Sequence, residues 1–223
     1  MRTNRLGVAL EQRAVLTIVA VSCAMTMAMV AIEQSEAELE RQGRVPDLLR
    51  LLDARPGAVI ADVGAGDGFY TVRIARAVAP TGRAVAVDVA ESALNKLRER
   101  VTRDHVADVD IVLGAADDPH LGDGRLDAVL IHNAYHEMTA YEAMLRRIHS
   151  ALKPGGRFVI VEPLHDTSRG LPREQQVANH DIERGIVESE LRSAAFEIVE
   201  HDDEFIKFTG VPGGFWLIVA RRP

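Results

Sequence analysis

The sequence predicts an α/β fold in which helices cover both faces of a mainly parallel β-sheet. Short apolar runs alternate with stretches of helical length, which is the pattern of βαβ units. The first runs are continuously apolar, as expected for parallel strands buried on both faces. The last two runs are joined by a short connection rich in glycine and proline, which leaves no room for a crossover helix. We therefore expect those two strands to pair antiparallel.

The elements follow in a regular order along the chain. A helix-like stretch from Glu33 to Leu52 ends at a turn over residues 53–57. The predicted strands are Val59–Val63, Ala84–Val89, Val109–Leu113, Ala128–Ile131, Phe158–Val161, Phe196–Val199 and Phe215–Ala220. The predicted helices between them are Tyr70–Ala79, Ser92–Arg103, Ala140–Leu152 and the largely helical stretch Glu174–Ala194.

The composition narrows the range of functions. The net charge of the 223-residue chain is −7, and no block of basic residues lies outside the N-terminus, which argues against nucleic acid as a partner. The one cysteine, Cys23, excludes a disulfide framework and a cysteine-based zinc site. No histidine pair has the spacing of a metal-binding motif, and no metal ligand is assigned.

A glycine-rich turn follows the first strand and carries the main functional signal. Gly64, Gly66 and Gly68 allow the chain to turn tightly before the next helix and to approach a ligand closely. Asp88 ends the second strand, at a distance along the chain that suits a carboxylate binding the hydroxyls of a ribose. The sequence therefore predicts a nucleoside site at the carboxyl ends of the strands.

The spacing of the glycines favours one class of nucleoside over another. A dinucleotide site has the pattern G-x-G-x-x-G, whereas this turn has G-x-G-x-G. Asp62 precedes the first glycine, and an acidic group there suits the cationic amino acid part of S-adenosylmethionine better than a pyrophosphate. A purely structural turn is the alternative for a glycine-rich loop considered without these two aspartates.

With these motifs the sequence resembles the class I S-adenosylmethionine-dependent methyltransferases, and most of all the bacterial group related to the ubiquinone/menaquinone-biosynthesis enzymes. The resemblance implies a Rossmann-like, doubly wound, seven-stranded sheet of order 3-2-1-4-5-7-6 with an antiparallel last strand. It also implies that Gly64, Gly66 and Gly68 line the cofactor and that Asp88 binds its ribose hydroxyls. The matching segments are 62–68, 87–88, 112–119, 126–138 and 152–163.

One position departs from the family pattern. The family usually has an aspartate after the third strand that reaches the adenine amino group, and Ala115 occupies that position here. Asp117 is the candidate that takes over this role through a shift of the loop. The alternative is that Asp117 belongs to a solvated acidic loop.

The acceptor side is expected at the end of the fourth strand. In similar methyltransferases this region faces the substrate, so Asn133, Tyr135 and His136 are the candidate catalytic residues. A histidine is suited to general-base catalysis near neutral pH, although His136 could equally cap or pack against the next helix. His180 is either a further residue of the site or, as is more common, a polar side chain on a helix surface.

The leading hypothesis is an enzyme that transfers the methyl group of S-adenosylmethionine to a small-molecule acceptor. A nicotinamide-dependent oxidoreductase is a second hypothesis, against which the glycine spacing and Asp62 argue. A catalytically silent scaffold that only binds a nucleoside is the third, and the two features in its favour are Ala115 and the expected location outside the cytoplasm.

An apolar segment over residues 14–32 carries no charge and follows Arg2, Arg5 and Arg13. This pattern predicts a signal peptide or a membrane anchor over residues 1–32, with residues 33–223 as the methyltransferase domain outside the cytoplasm or tethered to the membrane. A buried N-terminal helix and a mis-assigned start codon are the alternatives. S-adenosylmethionine is made in the cytoplasm, so this location and this cofactor are in conflict.

Overall fold

The computed structural model describes residues 36–38, 40–207 and 212–223. The chain divides after Arg44, and the unit Val45–Pro223 contains the whole sheet. Among the described residues, no helix has both the length and the apolarity that a membrane span requires. The predicted signal peptide or anchor over residues 1–32 lies outside the described residues.

Seven strands of the described residues form one sheet. They are β1 Val59–Val63, β2 Arg83–Asp88, β3 Val109–Leu113, β4 Leu126–His132, β5 Leu152–His165, β6 Glu197–Lys207 and β7 Gly213–Arg221. Their order in the sheet is β3-β2-β1-β4-β5-β7-β6, which confirms the predicted fold class. Neighbours among β1 to β5 pair parallel, and β7 pairs antiparallel with both β5 and β6.

Helices pack on both faces of this sheet. Apolar side chains of β1 alternate between two core clusters, with Ala61 in one and Ile60 in the other. The helices are α1 Val45–Leu51, α2 Phe69–Val78, α3 Glu91–Arg103, α4 Tyr141–Ala151, α5 Arg173–Ala178 and α6 Arg184–Ser193. The first cluster includes residues of α4 and α6, and the second includes residues of α1 and α2.

The last predicted helix is two helices. The stretch expected to be largely helical over Glu174–Ala194 is divided by a turn at residues 179–180 and an irregular segment at 181–183. The buried Asp181 accepts hydrogen bonds from the Ser168 hydroxyl (2.6 Å) and the His165 backbone N–H (3.3 Å), and it also contacts the His165 ring. These contacts hold the chain against the end of β5 and prevent one continuous helix.

The sixth strand is longer than the predicted Phe196–Val199. It extends to Lys207 and pairs with β7 across two register shifts, between Ile198 and Glu200 and between Asp202 and Ile206. These irregularities disrupt the alternation of side chains, so the sequence pattern of a strand is lost after Val199. This strand forms one edge of the sheet, and most of its side chains are exposed.

Candidate cofactor site and its rim

The glycine-rich turn lies between β1 and α2 and packs against the end of β4. The backbone N–H groups of Gly64 and Ala65 both donate to the carbonyl of Val87, at 2.8 and 3.0 Å, which fixes the turn beside β2. Gly64 has a φ of +78°, and a Cβ atom on it would lie 2.4 Å from the Cβ of Ala134. Glycine is therefore required here both by the backbone and by the loop that follows β4.

The carboxylate of Asp88 is fixed at the end of β2 by two backbone donors. One oxygen accepts a hydrogen bond from the N–H of Gly66 and the other from the N–H of Ala90, each at 2.9 Å. Each carboxylate oxygen has a second acceptor position, so the group can still bind ligand hydroxyls. The glycine turn thus orients the residue that the sequence predicted to bind a ribose.

A cavity of about 350 Å³ opens at the carboxyl ends of the strands, at the lower end of the size range of ligand sites. It lies between the loops that follow β1, β2, β3 and β4, and apolar side chains dominate its walls. Its lining residues are Val63, Gly64, Val87, Asp88, Val89, Ala115, Ala116, Asn133, Ala134, Glu137, Met138, Thr139 and Met144.

The chain matches known proteins over the part that forms this cavity. Residues 60–156 match the methyltransferase domain family. A demethylmenaquinone methyltransferase from Symbiobacterium thermophilum is 36% identical over 116 residues, which cover 52% of this chain and 46% of that protein. The chain therefore spans about half the length of the curated relative that it matches.

Solved structures agree with this family on the fold. A SAM-dependent methyltransferase from Aquifex aeolicus aligns with a TM-score of 0.62 and 20% identity, over 82% of this chain and 98% of that one. Phosphoethanolamine N-methyltransferase 2 from Haemonchus contortus, in complex with S-adenosyl-L-methionine, aligns with a TM-score of 0.64 and 16% identity, over 82% and 52%. Over residues 60–156, and in its fold, the chain is similar to the class I S-adenosylmethionine-dependent methyltransferases.

The cavity walls of this methyltransferase domain contain several of the residues predicted from the sequence. Gly64, Asp88 and Asn133 line the cavity, and so does Ala115 at the position of the usual adenine-binding aspartate. Asp117 is exposed, and the described residues that line the cavity do not include it. Further predicted residues that lie outside this lining are Asp62, Gly66, Gly68, Tyr135 and His136.

Asp62 is buried directly behind the glycine turn. One of its oxygens accepts a 2.6 Å hydrogen bond from the hydroxyl of Thr71 on α2. Burial away from water raises the pKa of Asp62 to about 6, against the opposing effect of the Thr71 hydrogen bond, and the charge of Asp88 raises the pKa further. Asp62 therefore links β1 to α2 by a hydrogen bond, and it is also a buried acid next to the glycine-rich turn.

Tyr135 points into the core on the side of α6. Its ring is fully buried, and its hydroxyl donates to Glu190 at 2.7 Å, while Glu190 also pairs with Arg173 at 2.7 Å. Burial and the neighbouring Glu190 carboxylate raise the pKa of the Tyr135 hydroxyl far above its ordinary value. The structure therefore shows a packing and hydrogen-bonding role for this predicted catalytic residue.

Glu162 organises the loop after β4, and the sequence alone did not assign it a function. This fully buried carboxylate on β5 accepts hydrogen bonds from the backbone N–H groups of Ala134 (2.7 Å), Tyr135 (2.8 Å) and His136 (3.3 Å). It also lies 2.5 Å from Nδ1 of the His136 ring. One carboxylate thus holds the backbone and a side chain of the predicted acceptor region.

Burial and the Glu162 carboxylate shift the pKa of His136 in opposite directions. Burial lowers the pKa of the His136 ring, but the hydrogen bond and the negative charge of Glu162 outweigh that effect, so the pKa is raised above its ordinary value. The pair is a buried, hydrogen-bonded unit that orients the Nε2 side of the ring away from Glu162.

Proposed function

We propose that the chain transfers the methyl group of S-adenosylmethionine to a small-molecule acceptor. The observation that carries this proposal is the cavity at the carboxyl ends of the strands, where the backbone N–H groups of Gly66 and Ala90 hold Asp88 at the wall. When bound, S-adenosylmethionine would supply an activated methyl group for transfer to a nucleophilic atom of the acceptor, with Asp88 and the glycine turn holding its nucleoside part.

The residues of the chain fit this cofactor. Asp88 offers acceptor oxygens for ribose hydroxyls, and the apolar walls beside it suit an adenine ring. The buried Asp62 behind the glycine turn supplies a group whose ionised form attracts a cationic amino acid. With Ala115 and Ala116 in the wall, recognition of adenine would rest on packing and backbone contacts.

The acceptor would bind beside the loop that follows β4. Asn133 and Glu137 line the cavity there, and Glu162 fixes the backbone between them. The chain would catalyse the transfer mainly by positioning the acceptor, because the methyl donor is already activated. That the similar proteins include a demethylmenaquinone methyltransferase supports a small organic acceptor.

The alternative of a nicotinamide-dependent oxidoreductase has less support. The common dinucleotide-binding sheet has the order 3-2-1-4-5-6, whereas this sheet inserts an antiparallel β7 between β5 and β6. The turn also keeps the G-x-G-x-G spacing of Gly64, Gly66 and Gly68. The hypothesis of a catalytically silent scaffold is tested by the experiment described next.

Calorimetric titration of the full chain with S-adenosylmethionine, S-adenosylhomocysteine and NAD tests the proposal. We expect both adenosyl compounds to bind, and Asp88→Ala to weaken their binding at least about 100-fold, because two hydrogen bonds to a charged acceptor, worth about 1.5–3 kcal/mol each, are lost. Asp123→Ala, an exposed carboxylate in another loop, is the matched control and should leave affinity unchanged.

The other outcomes are equally informative. Binding of NAD alone, or of none of the three compounds, would overturn the proposal. Tight binding of S-adenosylmethionine with no transfer to any quinone-like or phenolic acceptor would favour the silent scaffold. Asp117→Ala tests whether Asp117 replaces the usual adenine-binding aspartate. Unchanged affinity for S-adenosylmethionine means that Asp117 is a solvated loop residue, and weaker binding means that the loop shifts so that Asp117 contacts adenine.

A further inference from the structure

Three side chains with metal-binding atoms converge at the rim of the cofactor cavity. His136, Glu137 and His180 each offer one ligand atom, and these atoms lie within 4.8 Å of one another. A Glu137 oxygen lies 3.3 Å from Nε2 of His136 and 2.6 Å from Nδ1 of His180, and the two imidazole rings are 5.8 Å apart in an edge-to-face arrangement. Residues 136 and 180 are far apart in sequence, so no local motif indicated this cluster.

The ring of His136 is oriented as histidine ligands of metals usually are. Its Nδ1 faces the buried Glu162 carboxylate at 2.5 Å, and this hydrogen bond places the proton of a neutral ring on Nδ1. The lone pair is then on Nε2, the atom that faces Glu137 and His180. A carboxylate behind a histidine is the arrangement that fixes the tautomer and increases the basicity of metal-binding imidazoles.

The position of His180 is fixed by its neighbour in the chain. His180 has a φ of +57°, and the next residue, Asp181, is buried and bonded to Ser168 at 2.6 Å and to His165 at 2.8 Å. The His180 and Glu137 side chains are themselves 74% and 60% exposed. A fixed backbone with exposed ligand atoms lets an ion enter from solvent without reorganising the fold.

We propose that His136, Glu137 and His180 bind a divalent transition-metal ion such as Zn²⁺ or Co²⁺. Two imidazole nitrogens and one carboxylate oxygen are a ligand set typical of these ions, and three protein ligands leave at least one position for water or a bound molecule. Tetrahedral ligands about 2.1 Å from an ion lie about 3.4 Å from one another, which the exposed Glu137 and His180 side chains reach by small rotations.

The ion would lie next to the cofactor cavity, because Glu137 also lines that cavity. Its open coordination position would then be available to a molecule with an oxygen or nitrogen donor. The site does not depend on the proposed methyl transfer, since the ligand set exists without any cofactor.

The test is titration of the full chain, free of any histidine tag, with ZnCl₂ by calorimetry and with CoCl₂ by visible absorption. We expect saturable binding of one ion per chain, with Co²⁺ giving the absorption bands of a four- or five-coordinate site. His180→Asn and Glu137→Gln should each weaken binding at least about 10-fold, because each removes one of three ligands.

The matched control is His105→Asn. His105 is another exposed histidine with a left-handed φ, +50°, so the substitution makes a similar change away from the cluster and should leave metal affinity unchanged. Thermal unfolding of each variant without metal shows that the fold is retained. Absence of saturable binding, or binding that is the same in His180→Asn and Glu137→Gln as in the wild type, would show that the cluster is a hydrogen-bond network only.

The test of metal binding is independent of the test of S-adenosylmethionine binding. Metal binding is measured without S-adenosylmethionine, and binding of S-adenosylmethionine is measured with a chelator present. Either proposal can therefore fail while the other stands.

Discussion

Asp62 shows how much a single buried acid can influence this domain. Its carboxyl is removed from water behind the glycine turn, and burial raises its pKa from 3.8 to about 6. When the folded-state pKa of an acid lies above its unfolded value, the protonated form is the one that the fold favours. This contribution to stability is complete below about pH 4 and is lost as the pH rises through about 6.

We expect the stability of Asp62→Asn, measured as its free energy of unfolding, to increase relative to that of the wild type as the pH rises. The amide carbonyl can still accept the Thr71 hydrogen bond, but it has no charge to desolvate. The difference in unfolding free energy between variant and wild type should move in favour of the variant by about 1 kcal/mol between pH 5 and pH 7.5. Urea unfolding at both pH values measures it.

Asp123→Asn, at an exposed position, is the control, and its difference from the wild type should not change with pH. A difference for Asp62→Asn that is equally independent of pH would contradict the raised pKa. The comparison with the wild type cancels the titration of all the other groups that the two proteins share.

At the scale of elements, the cofactor cavity exists because two loops meet over the sheet. The turn after β1 approaches the loop after β4 so closely that Gly64 and Ala134 leave no space for another Cβ atom. The loop after β4 is itself held by Glu162 on β5. Three adjacent strands therefore determine together where a cofactor can lie.

Gly64→Ala and Gly66→Ala should differ in their effects. Both glycines have a positive φ, +78° and +56°, so alanine costs about 1–2 kcal/mol of backbone strain at either position. A Cβ on Gly66 meets no atom within 4 Å, whereas one on Gly64 collides with Ala134. We expect Gly64→Ala to lose about 1–3 kcal/mol more stability, measured by chemical unfolding, and to weaken S-adenosylmethionine binding more.

Equal losses in the two variants would mean that the loop after β4 moves away at no cost. In that case the close contact would not shape the cavity. Gly66→Ala serves as the matched control, since it lies in the same turn and differs mainly in the space around it.

The elements also show what the sequence could predict. Strands β1, β2, β4 and the centre of β5 were predicted because their buried runs are short and mostly apolar, whereas β3 is a partly exposed strand at the edge of the sheet. Asp88 was predicted because its role depends on local spacing from the glycines. Glu162 could not be found in this way. Its partners are 26 to 28 residues earlier, and only the register of β4 against β5 brings them together.

At the scale of the whole molecule, the location predicted from residues 1–32 is in conflict with a cofactor that is made in the cytoplasm. We propose that residues 1–32 direct the chain to or across a membrane. The full chain should appear in a membrane or extracytoplasmic fraction, whereas a chain that begins at Glu33 should stay in the cytoplasmic fraction, because the apolar run at residues 14–32 is then absent.

Immunoblotting of the fractions measures the distribution, and mass spectrometry of the N-terminus distinguishes a cleaved signal peptide from an anchor. The same distribution for the two chains would contradict the proposal. It would also remove the conflict with a cofactor that is made in the cytoplasm.

The edge strand β6 has a consequence for the behaviour of the molecule in solution. An exposed strand edge offers unpaired backbone groups to other chains and is a common route to aggregation. Here that edge is interrupted by two register shifts and carries four acidic side chains, Glu200, Asp202, Asp203 and Glu204, of which Asp203 pairs with Arg184 and Glu204 with Lys207. The bends in the strand and its exposed charged side chains are features that oppose the pairing of a strand from another chain with this edge.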